Sequence, residues 1–386
     1  MTALIVAAKR TPVVRAGKQY AHLGAEQLSA LVIDALLDQL PAPVPVEHVF
    51  WGNAAGPGGN IARVSALASR LGTSVPATSM DAQCASSLEA IAAGCRLVAT
   101  GEARAVIAGG VESVSTAPWR MTKPATPMEQ PVVYSRARFT PRPMPDPDMG
   151  VAAENIAHRY GITREAQDEF ALRSHQRAVG SAASGRFDNE LVPVAGVGGI
   201  VERDSCPRPQ LTLQKLAALR PAFVPDGTVT AGNACPINDG AAGVLILHEE
   251  LAHSLKLTRA LEYVAAGHGA CDPELLGMAA VPAMQKLRSL LGVAQDWSPR
   301  LLEFNEAFAA QVLACFSELG LDPLAANRDG GALALGHPYG ASGAILATRL
   351  WAQAAQANEG DMAVALMAGA GGTGTALGLR VREFKG

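Results

Sequence analysis

Cys84 is the residue whose position in the sequence most favours nucleophilic chemistry. It lies in the stretch Met80-Asp-Ala-Gln-Cys-Ala-Ser-Ser, and the apolar residues after it have helical spacing, which predicts a helix that begins just after the cysteine. The dipole and the free N–H groups at the start of a helix favour the thiolate, which is the nucleophilic form of cysteine. The alternative is a small buried thiol that only packs a turn.

The remaining cysteines carry less weight as candidates for chemistry. They are Cys95, Cys206, Cys235, Cys271 and Cys315, and no two of the six form a Cys-x-x-Cys pair. We therefore expect no structural zinc site and no other metal site. Scattered cysteines in a large chain are usually buried and inert, and Cys95 lies on the apolar face of the helix predicted after Cys84.

His337 and Asn305 are the candidates for a base and for a hydrogen-bond donor. His337 lies among glycines in Gly330-Gly-Ala-Leu-Ala-Leu-Gly-His-Pro-Tyr-Gly, with Pro338 suited to the first position of a helix. A histidine in such a turn can take a proton from a thiol, or it can be a turn residue with no chemical role.

Asn305 lies where an apolar run ends and a helix is predicted to start. It either caps that helix or faces a developing oxyanion, and Glu306 either caps or helps to place it.

Two glycine clusters come after apolar segments that predict strands. They are Gly109-Gly and Gly369-Ala-Gly-Gly-Thr-Gly. Such turns expose backbone N–H groups, which bind phosphate groups or oxyanions. Neither cluster has the spacing of a dinucleotide-binding fingerprint or of a P-loop with its lysine, so the sequence does not favour nucleotide hydrolysis.

Short apolar runs alternate with longer segments of helical periodicity, which predicts a layered α/β fold. Strands are predicted at 4–8, 48–51 and 104–108, and helices at 23–40, 61–71 and 87–100. The alternation stops near residue 117, and the stretch up to about 147 is rich in Pro, Met, Arg and Thr. Residues 152–184 predict two helices, with Thr163 at the start of the second.

The two ends of the chain repeat one pattern, which predicts an internal duplication at the scale of half the chain. In each half a turn of small residues begins a helix, and a short apolar strand that ends in glycines comes next. The first copy begins at Cys84, and the second begins at His337. The repeat predicts that one reactive residue from each half meets the other at a shared site.

Composition and charge exclude several classes of function. The 386 residues predict two or three domains, and 49% of them are hydrophobic whereas only 17% are charged, which is typical of a globular protein. The net charge of −3 favours neither nucleic acid nor an anionic membrane as a partner. The sequence starts with an apolar segment and continues with basic residues, the reverse of a secretory signal. We therefore expect a cytoplasmic location and no membrane attachment.

Several motifs resemble the thiolase family, and they run through nearly the whole chain in the order of that family. They are Ala8-Lys-Arg-Thr-Pro, Gln83-Cys-Ala-Ser-Ser, Gly109-Gly-Val-Glu-Ser-Val-Ser, Met149-Gly-Val-Ala-Ala-Glu-Asn, Gly232-Asn-Ala, Asn238-Asp-Gly-Ala-Ala, Asn305-Glu-Ala-Phe-Ala-Ala-Gln and Gly336-His-Pro-Tyr-Gly-Ala-Ser-Gly. One such motif would be a weak signal. Their number, order and spacing make the resemblance strong.

The resemblance implies an α/β fold with a duplicated, five-layered α-β-α-β-α core and an inserted loop domain. The implied boundaries are 1–116 plus 237–259 for the N-terminal half of the core, 117–236 for the loop domain, and 260–386 for the C-terminal half. The resemblance also implies a homodimer or a homotetramer.

The resemblance implies acyl-CoA and CoA as the small-molecule partners, with the thioester as substrate and no further cofactor. Cys84 would become acylated and His337 would activate it. Asn305 would hold a water that, with His337, stabilises an enolate oxygen. The backbone N–H groups of Cys84 and Ala370 would form a second oxyanion hole.

The resemblance further implies that Cys235, Leu276 and Phe308 bind substrate, and that Cys235 stands where the family has a serine. Two smaller departures from the family, Asp148 and Pro236, concern the acyl pocket, so no acyl chain length is assigned.

The chain departs from the family pattern at Ala368, where the family has a second catalytic cysteine that moves a proton. A methyl group cannot transfer protons. The alanine is an engineered replacement, or it marks a natural thiolase-like enzyme that carries out another acyl transfer, a condensation or a thioester hydrolysis, or another thiol acts in its place. Cys235 and Cys315 are the candidates for such a thiol.

Two other functions stay open at the level of sequence. One is a ketosynthase-like condensing enzyme of a biosynthetic pathway, although such enzymes place their asparagine after the histidine. The other is a non-catalytic CoA-binding subunit, which would need none of Cys84, Asn305 and His337.

Overall fold

Strands and helices alternate at both ends of the chain, in a computed structural model that describes residues 2–134 and 136–384. The strands are β1 (Ala3–Arg10), β2 (Val14–Arg15), β3 (His48–Gly52), β4 (Ala77–Met80), β5 (Ala105–Glu112), β6 (Arg120–Met121), β7 (Val133–Tyr134), β8 (Val194–Gly196), β9 (Gly199–Val201), β10 (Asn238–His248), β11 (Arg259–Ala270), β12 (Leu301–Phe304), β13 (Met362–Gly369) and β14 (Thr373–Glu383). The α-helices are α1 (Ala25–Leu37), α2 (Ile61–Ala68), α3 (Ser86–Ala99), α4 (Met149–Tyr160), α5 (Arg164–Ala183), α6 (Leu213–Ala217), α7 (Glu249–Ser254), α8 (Ala280–Leu291), α9 (Ala309–Leu319), α10 (Ala332–Leu335) and α11 (Ser342–Gln353).

The main sheet consists of two halves with the same strand pattern. Its order is β4-β3-β5-β10-β1 in the first half and β11-β14-β13-β12 in the second, with β2 paired to β10. In the first half β3 runs parallel to β5, and β10 is antiparallel to β5 and β1. In the second half β12 runs parallel to β13, and β14 is antiparallel to β13 and β11. The repeat predicted from the two ends of the chain is therefore present in the order and direction of the strands.

The core has five layers, because three apolar clusters separate the helices from the two halves of the sheet. Helices α3 and α11 lie in the middle, where Ile91 and Leu346 pack against strand residues of both halves. Helices α1 and α2 cover the outer face of the first half around Trp51. Helices α8 and α9 cover the second half around Phe304 and Phe316. The predicted α-β-α-β-α fold class is confirmed.

Most of the elements predicted from periodicity are present. The helices predicted at 23–40, 61–71 and 87–100 correspond to α1, α2 and α3, and the predicted strands correspond to β1, β3 and β5. Residues 152–184 contain α4 and α5, and the side chain of Thr163 caps α5 by accepting the N–H of Ala166 at 3.2 Å. Among the residues that the structure describes, no helix is both long enough and apolar enough to cross a membrane.

Two predicted helix starts are wrong. Helix α9 begins at Ala309 with Phe308 at its N-cap, so neither Asn305 nor Glu306 caps it. The intervening residues stay non-helical because the backbone of Ala307 accepts the N–H of Cys235 at 2.9 Å. Pro338 is not the first residue of a helix either, since a short 3₁₀ turn comes after it and α11 begins only at Ser342.

The segment between β5 and β10 holds α4, α5, α6 and two small antiparallel ribbons, β6-β7 and β8-β9. Its parts are tied together by polar contacts: Glu154 in α4 accepts the backbone N–H groups of Thr228 and Val229 at 3.0 and 2.8 Å. This segment contains the range 117–236 predicted as a loop domain. The predicted domain boundaries themselves stay a prediction.

The close packing of the two middle helices yields a test of the fold. A Cβ added at Gly343 in α11 would lie 2.5 Å from the backbone N of Leu88 in α3, whereas a Cβ at Gly180 in α5 would meet no atom within 4 Å. We expect Gly343→Ala to lower the free energy of unfolding by about 1–3 kcal/mol. Gly180→Ala is the matched control and should raise it by about 0.5–1 kcal/mol, because alanine favours helix over glycine. Urea unfolding measures both, and a stabilising Gly343→Ala would contradict this packing.

Candidate active site

Residues from both halves of the core line one cavity of about 230 Å³. Cys84 comes from the first half, and His337, Ala368 and Ala370 come from the second half. Met149 of α4 lies on the cavity wall as well, so the intervening segment contributes to it. The structure thus brings together the two residues that the repeat predicted to meet.

Cys84 lies directly before α3, in a turn with a strained backbone. Gln83 has a φ of +53°, a conformation that non-glycine residues rarely adopt. The hydroxyl of Ser86 holds the turn by accepting the N–H of Ala82 at 2.9 Å and donating to the carbonyl of Gln83 at 2.5 Å. The position at the start of the helix matches the prediction from spacing.

The surroundings of Cys84 act on the pKa of its thiol in two opposing directions. Burial raises the pKa of the Cys84 thiol to about 12, although hydrogen bonds from the backbone N–H groups of Ala370 and of Cys84 itself act in the opposite direction. Loss of water around a thiolate therefore outweighs the stabilisation that the helix start provides. The resting residue is consequently a thiol at neutral pH, from which a base must remove the proton.

The turn that presents Ala370 depends on glycine. Gly371 and Gly372 link β13 to β14 with φ values of +80° and +79°, a conformation that favours residues without a Cβ. A Cβ at Gly369 would lie 2.9 Å from the carbonyl oxygen of Ala82, which shows how closely this turn approaches the turn of Cys84. Ala370 consequently lies on the same cavity wall as Cys84, where its backbone N–H acts to lower the pKa of the thiol.

His337 is 2% exposed and has a defined hydrogen-bond environment. Its Nδ1 lies 2.6 Å from Ser342 Oγ, which lies 3.2 Å from the carbonyl oxygen of Pro338. Because a carbonyl can only accept, the hydroxyl donates to Pro338 and accepts the Nδ1–H of His337. Nε2 then carries a lone pair. Burial lowers the pKa of His337 to about 4, so the ring is neutral at neutral pH and can accept a proton there.

Asn305 lies behind His337, on the loop between β12 and α9. Its Nδ2 is 3.5 Å from His337 Nε2, and its backbone N–H donates to the carbonyl of Leu366 in β13 at 3.0 Å. The side chain is 1% exposed. Asn305 therefore borders His337, whereas Cys84 and His337 line the cavity itself.

Glu306 does not face the cavity but secures the loops around it. Its carboxylate accepts Ser174 Oγ–H at 2.6 Å, Asn327 Nδ2–H at 2.7 Å and the N–H of Leu333 at 3.2 Å. These bonds link the loop of Asn305 to α5 and to α10, which precedes His337. Glu306 therefore helps to place Asn305, which was one of its two predicted roles.

Two anchors of the histidine loop were not singled out from the sequence. Asn238 Oδ1 accepts the backbone N–H of His337 at 2.9 Å, and Glu112 accepts the N–H groups of Gly340 and Ala54, both at 3.0 Å. Burial raises the pKa of Glu112 to about 7. Both residues lie in thiolase-like motifs, so the signal that marked them was the resemblance and not their local pattern.

The predicted substrate-binding residues all line the cavity: Cys235, Leu276 and Phe308. Cys235 lies close enough to Cys84 that a negative charge on Cys84 raises the pKa of the Cys235 thiol. Cys315 is placed differently, since it is fully buried in α9 and donates to the carbonyl of Gly277 at 3.4 Å. Of the two thiols considered as replacements at position 368, the structure brings only Cys235 to the cavity wall.

Comparisons with known proteins cover nearly the whole chain. The family profile described as "Thiolase, N-terminal domain" matches residues 3–250, and "Thiolase, C-terminal domain" matches residues 257–381. Proteins named "Putative acetyl-CoA C-acetyltransferase VraB" are similar: that of Staphylococcus haemolyticus is 41% identical over 353 residues, covering 90% of this chain and 91% of its own. The Staphylococcus aureus MRSA252 protein is 39% identical over 354 residues, covering 90% and 92%.

The fold comparison agrees with the sequence comparison. The crystal structure of the Bacillus anthracis acetyl-CoA acetyltransferase superposes with a TM-score of 0.89 at 32% sequence identity, and the match covers 99% of both chains. The matched profiles, the relatives and this structure lead to one conclusion. The chain belongs to the thiolase family of acyltransferases.

Proposed function

We propose that the protein forms an acyl-enzyme on Cys84 from an acyl-CoA or a 3-ketoacyl-CoA. The observation that carries this proposal is the meeting of Cys84 and His337 in one cavity, whose wall also includes Ala370. A nucleophile, a neutral base and a backbone donor are the parts that acyl transfer from a thioester needs.

In the proposed reaction, the sulfur of Cys84 attacks the carbonyl carbon of the thioester. The thiol proton passes to Nε2 of His337, which holds the lone pair. With an acyl-CoA, the bond between the acyl carbon and Cys84 forms, the bond between that carbon and the CoA sulfur breaks, and the proton moves on to the departing CoA thiolate. With a 3-ketoacyl-CoA, Cys84 attacks the C3 ketone carbon instead, the C2–C3 bond breaks, and a proton passes to C2 of the departing acyl-CoA enolate. The N–H groups of Cys84 and Ala370 stabilise the oxyanion of the tetrahedral intermediate.

The cavity wall supports an acyl group as the occupant. Leu276, Phe308, Met149 and Phe223 give it a largely apolar surface, which favours the hydrocarbon part of an acyl thioester. CoA and its thioesters are the proposed partners. The proposal leaves the length of the acyl chain open.

Ala368 is the residue that distinguishes acylation of Cys84 by an acyl-CoA from the steps in which a substrate carbon gains or loses a proton. It lines the cavity at the position where the family pattern has a second cysteine, and it offers no proton-transfer group. We therefore propose that thiolysis of a 3-ketoacyl-CoA and Claisen condensation are slow. Transfer of the acyl group to a different acceptor, as in a ketosynthase-like reaction, is the second candidate that Ala368 favours.

The first prediction concerns acyl-enzyme formation. Incubation with a panel of acyl-CoAs, then acid quenching and intact-mass measurement, should show one added acyl group on the wild-type protein. Cys84→Ala should abolish the label, whereas Cys95→Ala, a fully buried core position on α3, should retain it. A label that persists in Cys84→Ala would refute the assignment of the nucleophile. CoA binding by calorimetry without any label would favour a non-catalytic CoA-binding protein.

The second prediction rests on the raised pKa of the Cys84 thiol, about 12. Below its pKa, the thiolate fraction increases tenfold per pH unit. The rate of Cys84 alkylation by iodoacetamide should therefore climb about tenfold per unit from pH 7 to pH 10. In the urea-unfolded chain, the alkylation rate of the same cysteine should level off above about pH 8.5, the usual pKa of a free thiol. A plateau below pH 8 in the folded protein would contradict a neutral resting thiol.

The third prediction concerns position 368. Ala368→Cys restores a proton-transfer group beside the cavity and should raise the thiolysis rate of a 3-ketoacyl-CoA by about 100-fold, the lower end of what a positioned acid or base contributes. Ala368→Ser adds a group of similar size whose hydroxyl holds its proton at neutral pH, so it is the matched control and should give no gain. Equal rates for all three proteins would indicate a site that is organised for different chemistry.

A further inference from the structure

A second, much smaller cavity has Asn305 on its wall and shares no lining residue with the cavity of Cys84. Its volume is about 10 Å³, which is about the minimum for a single water molecule. Its polar side chains come from neighbouring parts of the second half: Glu303 belongs to β12, Asn305 lies just beyond that strand, and Ser342 and Arg349 belong to α11. The rest of the wall consists of glycines and apolar residues: Gly330, Gly331, Ala332, Leu335, Gly336, Ile345 and Leu346.

Three buried polar atoms on residues of this wall have no hydrogen-bond partner among the described residues. They are Glu303 Oε2, Asn305 Oδ1 and Arg349 Nε. The three side chains are 1–2% exposed, so bulk water does not reach them. Buried polar groups in proteins are almost always paired, and one unpaired group costs about 1–3 kcal/mol. Three such atoms around one small space point to a shared ligand.

We propose that this cavity binds one ordered water, which bridges Glu303, Asn305 and Arg349 and makes Glu303 and Arg349 positioning residues for Asn305. The water site itself is inferred from the unpaired atoms and the size of the cavity. Its importance for the reaction rests on the proposed function, in which Asn305 and His337 act together.

A single water matches the three atoms in either protonation state of Glu303. If the carboxylate is ionised, the water donates to Glu303 and Asn305 and accepts the Nε–H of Arg349. If Glu303 is protonated, the water accepts from Glu303 and Arg349 and donates to Asn305. Burial raises the pKa of Glu303 to about 8, against the opposing effect of the Arg349 charge, so both states occur near neutral pH. Three hydrogen bonds are the usual number for a buried water.

A metal cation fits this cavity less well than water. Glu303 and Asn305 offer oxygen atoms, but the Nε–H of Arg349 is a donor on a positive group and would face the cation. Arg349 cannot turn away, because its other nitrogens are bonded to Glu190 and Asp329. Glu303 is also held, since its Oε1 accepts the Nε2–H of Gln353 at 2.7 Å.

The water would fix the orientation of the Asn305 amide. With Oδ1 bonded to the water, Nδ2 points towards His337 Nε2, at the observed distance of 3.5 Å. A flipped amide would instead place Oδ1 beside the lone pair of His337 Nε2, where two acceptors oppose each other. The water and His337 together therefore favour the amide orientation that presents a donor on the side of His337.

A crystal structure of the wild-type protein at about 1.5 Å resolution tests the water site directly. We expect one density peak within about 3.2 Å of Glu303 Oε2, Asn305 Oδ1 and Arg349 Nε. An empty cavity, or a side-chain arrangement in which two of these atoms bond each other directly, would overturn the proposal. This readout needs no substrate, so it is independent of whether Cys84 becomes acylated.

Two variants of Glu303 test its role as a positioning residue. Glu303→Gln keeps a hydrogen-bonding group towards the water, and its maximal rate of Cys84 acylation should stay within about threefold of wild type. Glu303→Met has a similar volume without that group and should lose roughly 10–100-fold in that rate, because a misplaced group near the reacting atoms has an effect of this size. The half-saturating acyl-CoA concentration and the final labelled fraction should not change in either variant.

The same measurements separate a positioning role from a structural one. A lower labelled fraction or a large change in half-saturation would indicate damage to the fold or to the substrate cavity and would overturn the positioning role. Equal rates for Glu303→Gln and Glu303→Met would overturn it as well. If wild-type protein is never acylated while the water is present, the proposed function fails and the water site stands.

Discussion

The close contact between the two middle helices is the constraint on which the candidate site depends. Helices α3 and α11 approach so tightly that Gly343 lies against the backbone of Leu88, and the hydroxyl of Ser87 accepts the N–H of Ala344 at 2.9 Å. The turns that hold Cys84 and His337 precede these helices. The site is therefore formed by the packing of two distant helix starts, and a shift between the two halves of the core would separate Cys84 from His337.

A buried cluster of charges holds the intervening segment against both halves of the core. Arg10 of β1 pairs with Glu190 and Asp204 of that segment, both at 2.7 Å, and Glu190 also pairs with Arg349 of α11. The ring of Phe187 lies beneath both guanidinium groups, at 5.4 and 4.6 Å. Removal of one partner would leave a charge without compensation, which typically costs about 3–5 kcal/mol. The motif that contains Arg10 thus has a structural role. The charge cluster also fixes Arg349, which borders the small cavity.

Residue spacing in the sequence correctly predicted those parts of the site whose conformation depends on neighbouring residues in the chain. Helical spacing placed Cys84 before α3, and the repeat predicted its meeting with His337. Sequence pattern gave the wrong helix start at Asn305, where an apolar run followed by a helix-forming sequence suggested an N-cap. Residues 305–307 stay outside the helix because Ala307 bonds to Cys235, some 70 residues away in the chain. Sequence pattern also gave no reason to select Asn238 or Glu112, whose partners lie roughly 100 and 230 residues away along the chain. Such anchors have ordinary local surroundings, and only the resemblance to a family marked the motifs that contain them.

The burial that forms the site also determines the order in which charge can appear in it. Loss of water raises the pKa of the Cys84 thiol and lowers that of His337, so the resting pair is neutral on both sides. In the proposed reaction, a thiolate then arises only as its proton leaves, which couples proton transfer to attack on the thioester. The proposed acylation by an acyl-CoA uses only this pair and the backbone donors. A proposed second transfer would need another proton carrier in the same cavity, where burial also raises the pKa of Cys235. An alanine at position 368 is therefore compatible with the proposed acylation of Cys84, because that step uses no proton-transfer group at this position.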